Sequence, residues 1–64
     1  MKKVIVKWNK RHIDRHLWIF SNEIISDLKR YEKGDLVKIV DQKGKFRGTG
    51  YINPNSLIAI RILS

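Results

Sequence analysis

A chain of 64 residues without cysteine has room for one small domain and none for a doubly wound nucleotide-binding unit or a barrel enzyme, each of which needs well over a hundred residues. Apolar burial in a chain of this size is worth roughly 100 kcal/mol at about 25 cal/mol per Å², against an ordering cost of about 96 kcal/mol at about 1.5 kcal/mol per residue, so stability rests on close packing alone, with neither a disulfide nor a thiolate zinc cluster to add to it. Fourteen Lys and Arg against six Asp and Glu give a formal charge of +8 beside 42% hydrophobic residues, which describes a folded basic module that draws polyanions, nucleic acid first and an anionic membrane surface second.

Lys3-Val4-Ile5-Val6-Lys7-Trp8 alternates and is β-branched, which predicts a strand with Val4, Val6 and Trp8 on one face and lysines on the other. Asn9 is a helix N-cap candidate, and Lys10 to about His16 make two turns of a short helix with Ile13 and Leu17 facing inward and Lys10, Arg11, Asp14 and Arg15 outward. Six cations fall within residues 1–18 against Asp14 alone. Trp18-Ile19-Phe20 and Ile24-Ile25 form an apolar strand region broken by Ser21-Asn22-Glu23, a bulge or bend; Trp18 and Phe20 are expected in the core, the alternative being that they, with Trp8, are exposed and stack on bases.

Residues 26–33 are polar, and Gly34 offers the positive φ of a tight turn. Leu36–Asp41 and Phe46–Ile52 flank Gln42-Lys43-Gly44-Lys45, the pattern of a hairpin with a four-residue loop. Gly48 and Gly50, two apart in a strand, leave one face bare for something to pack closely, a barrel corner or a large side chain such as Trp18. After the turn Asn53-Pro54-Asn55-Ser56, the run Leu57–Leu63 is a near-continuous apolar strand of central type, with Arg61 pointing outward or paired. The sum is a mainly β, mixed domain: about five strands and one short helix after the first strand, closed around one core as a small pseudobarrel.

Arg11-His12-Ile13-Asp14-Arg15-His16-Leu17-Trp18-Ile19-Phe20-Ser21-Asn22-Glu23-Ile24 resembles the "R-x-x-x-G-H-P-W-[IV]-F-S-x-E-I" segment of PUA domains, and more closely that of the amino-terminal PUA domain of the ribosomal RNA large-subunit methyltransferase I family. Gly34-Asp35-Leu36-Val37, Gly48-Thr49-Gly50-Tyr51-Ile52-Asn53-Pro54-Asn55-Ser56 and Ile58–Ser64 are similar to the same pattern, so the likeness covers residues 3–64. Two positions depart from it: Arg15 stands where the family has Gly and Leu17 where it has Pro, which replaces a close backbone approach by a guanidinium able to meet a phosphate. The resemblance implies an RNA-binding pseudobarrel excised from a longer chain, with ribosomal RNA as partner and an S-adenosylmethionine-dependent cytosine methyltransferase domain as neighbour. The 64 residues themselves carry no cofactor loop and no cysteine for covalent C5 chemistry, so this chain is expected to be no enzyme and to hold no cofactor.

The candidate RNA contacts are Lys7, Lys10, Arg11 and Arg15 along the first strand end and helix, with His16 at the turn that follows, and a second basic cluster of Lys43, Lys45 and Arg47 on the hairpin. His12 and His16, four apart, have metal-ligand spacing but no third ligand nearby, so no metal site is expected. A reading of another class is an interaction or oligomerisation barrel whose basic surface docks an acidic domain of its own parent chain. No apolar run approaches the roughly 20 residues that cross a bilayer, and Lys2-Lys3 precede only Val4-Ile5-Val6 before Lys7, so a cytoplasmic location without membrane attachment is the expectation.

Overall fold

A computed structural model of the chain describes residues 1–13 and 17–63. Five strands form one sheet in the order β1-β3-β4-β5-β2: β1 Lys2–Ile5, β2 Trp18–Phe20, β3 Asp35–Val40, β4 Phe46–Ile52 and β5 Ile58–Ile62. A single helical turn, α1 Lys10–Ile13, follows β1, and two 3₁₀ turns, Ser21–Glu23 and Leu28–Arg30, follow β2. The accessible surface of 4508 Å² is close to the roughly 4,300 Å² expected of a folded monomer of this mass.

The expected β3–β4 hairpin is present, with Leu36 opposite Tyr51 and Val37 opposite Gly50, and a register shift at Ile39/Val40. Gly44 takes φ +87 in its loop, and the Asp41 carboxylate fixes that loop by accepting the Lys43 and Lys45 N–H groups, each at 2.9 Å. The last strand is interior, between β4 and β2. β1 pairs with β3 in parallel, Val4 opposite Ile39. The seven largest fully buried side chains are Ile19, Ile39, Ile52, Ile60, Val4, Val6 and Val37, every one β-branched, as befits a core made of pleated surface.

Closure is looser than a pseudobarrel requires. The ladder is open, with β1 and β2 at its edges; past them Val6 makes one isolated bridge to Ile24, and the Lys7 N–H donates to the Glu23 carbonyl at 2.7 Å and the Ile25 N–H to the Ile5 carbonyl at 2.8 Å. The trio Ser21-Asn22-Glu23 is a 3₁₀ turn, which swings the chain from β2 to this bridge.

Three inward assignments are corrected. Ile13 is 63% exposed because His12 fills the inward position of α1 and is itself buried, and Leu17, outside the helical turn, is 58% exposed. Trp18 is 47% exposed and Phe20 half-buried: Ile19 takes the inward position of a three-residue strand and period-two alternation sends Trp18 out. Trp18 therefore does not fill the bare face at Gly50; a Cβ there would stand 2.5 Å from the Arg61 carbonyl oxygen, so what packs closely is the β5 backbone. The polar stretch 26–33 also hides a core member, Tyr31, whose hydroxyl donates to the Lys3 carbonyl at 2.6 Å.

Candidate nucleic-acid interface

Asn9 caps α1 as expected, its side-chain oxygen accepting the Arg11 N–H at 3.0 Å and its carbonyl the His12 N–H at 3.0 Å. The cap is tied to the turn after β2 by Glu23. One carboxylate oxygen of Glu23 accepts the Phe20 N–H at 2.9 Å and the Arg11 guanidinium; the other accepts the Asn9 amide at 2.9 Å and lies 3.3 Å from His12 Nε2. Burial alone would raise the Glu23 carboxyl, but the Phe20 N–H, the Asn9 amide and the charges of His12 and Arg11 together hold it below its ordinary value. Arg11 also donates to the Trp18 carbonyl at 3.1 Å and lies 4.8 Å from the Phe20 ring centroid.

His12 Nδ1 accepts the Asn9 N–H at 3.2 Å, while Nε2 lies 3.3 Å from the Glu23 carboxylate and 3.0 Å from the Arg11 guanidinium. The imidazole stacks on Trp8 with centroids 4.7 Å apart. The Arg47 guanidinium lies 5.4 Å from the same indole and donates from Nε to Asp41 at 3.1 Å. The Asp41 carboxyl is held below its usual range, first by the Lys45 N–H, against the opposing effect of burial, with further help from the Lys43 N–H and Arg47. The backbone N–H of Trp8 donates to the Gln42 side-chain oxygen at 3.1 Å, joining the end of the first strand to the hairpin loop.

Trp8 is thus where the two basic clusters of the sequence meet. A shallow hollow of about 240 Å³ is lined by Trp8, Ile13, Asp41, Gln42, Lys43 and Arg47. Lys7 and Lys10 flank Trp8 and Asn9 in the chain, and Lys7, Lys10, Lys43 and Lys45 are exposed and form no ion pair among the described residues. Arg11 and Arg47 differ: each is partly buried against a carboxylate, so the guanidinium expected to face outward from α1 is instead bound to Glu23. Arg15 and His16 lie outside the described residues, and no group of three metal-ligating side chains occurs among the described ones.

The sequence reading passed over Glu23, Trp8 and Asp41 as organisers of this surface. Signals for two of them were present: a Glu three residues after the end of β2, in capping-box position, and an Asp opening a glycine-containing loop, the usual seat of an Asx turn. Nothing local marked Trp8, whose neighbours His12 and Arg47 come together only in three dimensions.

Residues 5–64 match the family profile described as "PUA-like domain". The chain is 42% identical over 53 residues, 83% of its own length, to a protein of Tolumonas auensis named "Ribosomal RNA large subunit methyltransferase I". It spans 13% of the length of that relative.

Proposed function

This chain belongs to the PUA-like domain family, and on that footing we propose that it is an RNA-binding module which seats a methyltransferase region of a longer protein on large-subunit ribosomal RNA. The observation that supports the reading is the meeting at Trp8 of the strand end, the helical turn and the hairpin loop, through His12, Gln42, Lys43 and Arg47; Lys7, Lys10, Lys43 and Lys45 are exposed on these segments and form no ion pair among the described residues. Four such cations suit a phosphate backbone, which positions a protein by charge and shape. Arg47, held over Trp8, adds a fifth positive group, and Arg15 and His16 are further candidate contacts on the sequence alone. Arg11 has a structural part: it fastens α1 to Glu23. The 64 residues take no catalytic role, and S-adenosylmethionine belongs to the methyltransferase region of the parent protein.

The test is titration of a fluorescent RNA hairpin with the chain. With about four phosphates engaged, the logarithm of affinity falls against the logarithm of salt with a slope near −3 on the single-strand scale. Lys7→Glu, Lys10→Glu, Lys43→Glu and Lys45→Glu in combination abolish binding and flatten that slope. Arg11→Glu is the wrong variant, because it sets a carboxylate against Glu23 and unfastens the fold. Absence of hairpin binding at about 50 mM salt overturns the reading in favour of a surface that docks an acidic protein domain.

A further inference from the structure

The outer face of the sheet carries a second arrangement that the basic edge does not use. The pairings Trp18 with Arg61, Arg61 with Tyr51, and Tyr51 with Leu36 place these four residues in one row across β2, β5, β4 and β3. Residues directly opposite one another on paired strands project to the same side, and here all four are exposed, Trp18 by 47% and Tyr51 by 50%. Two residues along the strands, Lys3, Lys38 and Thr49 form a parallel row on the same face. No acidic residue stands in either row, and Arg61 has no ion-pair partner among the described residues. Beyond Tyr51 the face dips into an open hollow of about 410 Å³, also lined by Arg61, Lys33, Asn53 and Ser56, which lies within the roughly 300–1,000 Å³ of small-ligand sites.

We propose that the row Trp18–Arg61–Tyr51 is a base-stacking platform for single-stranded RNA, with the hollow beside Tyr51 receiving a further nucleotide. It rests on the RNA-binding reading above and adds to it a second surface with a different ligand form. The chemistry is specific. Trp18 and Tyr51 sit two strand spacings apart, about 9.5 Å, each beside Arg61, so two bases can lie on the aromatic faces while the phosphate between them meets the guanidinium. With Lys3, Lys38 and Arg61 interleaved among Trp18, Tyr51 and Leu36 and no acid in either row, the face suits a polyanionic strand that also offers flat apolar rings. Single strands are also the form of RNA whose bases are free to be splayed and stacked.

The experiment titrates the 64-residue chain with oligouridine of ten nucleotides and, in parallel, with the hairpin, reading both anisotropy and tryptophan emission. Trp8 and Trp18 are the two emitters. The expected result is quenching by oligouridine that Trp18→Phe removes, and an affinity for oligouridine lowered roughly tenfold for each of Trp18→Ala and Tyr51→Ala, with hairpin affinity unchanged. Trp18→Leu and Tyr51→Leu keep apolar bulk without a π face and give the same loss if the alanine variants fold poorly. Wild-type binding of both RNAs with no effect of these substitutions on oligouridine overturns the platform and leaves the basic edge standing, the face then being one for protein contact. Failure of the wild type to bind either RNA overturns both readings together.

Discussion

The guanidinium of Arg11 is bound to the carboxylate of Glu23, so the arginine that the charge pattern offers most plainly to a ligand is the one that holds the helical turn to the sheet. Glu23 is surrounded by four donors from α1, its cap and β2. Glu23→Gln keeps its shape but turns an amide toward groups that themselves donate. A loss of about 1–3 kcal/mol follows from unpairing partly buried charged hydrogen bonds, which a thermal melt of so small a domain reads at about 4–8 °C per kcal/mol. An unchanged melting temperature refutes the role given to Glu23.

Three carboxyls, those of Glu23, Asp35 and Asp41, are held below their ordinary values. Asp35 owes this first to the Glu32 N–H and then to the Lys2 ammonium, 3.0 Å away. A carboxyl whose folded value lies below its unfolded one binds fewer protons when folded, so its contribution is full above the unfolded range near pH 4 and drains as pH falls through the folded value. The urea midpoint is therefore expected to hold level from neutrality to about pH 5 and to fall below about pH 4.5. Glu23→Gln makes that fall shallower; an equally steep fall in the variant assigns the acid sensitivity elsewhere.

Gly50 and Gly34 separate steric from conformational cost. A methyl at Gly50 meets the Arg61 carbonyl oxygen at 2.5 Å and the Ile60 side chain at 3.0 Å, whereas a methyl at Gly34 meets nothing but must accept φ +89. Gly34→Ala costs about 1–2 kcal/mol. Gly50→Ala costs more than that, since strand backbones must part, with overpacking alone worth about 1–3 kcal/mol. Denaturant titrations that rank the two in the opposite order contradict the register of β4 against β5.

Tyr31→Phe removes one hydroxyl from an otherwise buried ring and leaves the Lys3 carbonyl without that partner. The expected loss is about 0.5–1.5 kcal/mol. It shows as a lower urea midpoint with unchanged steepness, because the exposed area on unfolding is the same. No change in midpoint means the bond to β1 is not maintained in solution.

The hairpin, the turn at 53–56 and the apolar last strand were legible because each rests on neighbours in sequence: alternation on both sides of Gly44, and Asn-Pro-Asn-Ser before Leu57. What was misjudged is phase. Whether Trp18 or Ile19 points inward in a three-residue strand is decided by β5, and whether His12 or Ile13 is buried in a single helical turn is decided by Trp8 and Glu23; local pattern holds neither. Lys7, Lys10, Lys43 and Lys45 are exposed as charge and loop position suggest, but the binding of Arg11 to Glu23 and of Arg47 to Asp41 depends on where the 3₁₀ turn and the hairpin come to rest.

The parallel pairing of β1 with β3 also sets an order of events at the ribosome. Val4 and Ile5 are synthesised before their ladder partners Ile39 and Val40, which come more than thirty residues later; at about 5–20 residues per second the wait is roughly two to seven seconds. Throughout that interval a sticky β-prone segment travels unsheltered, guarded on both sides by Lys2, Lys3 and Lys7, whose mutual repulsion between nascent copies does for the unfinished chain what burial later does for the finished one.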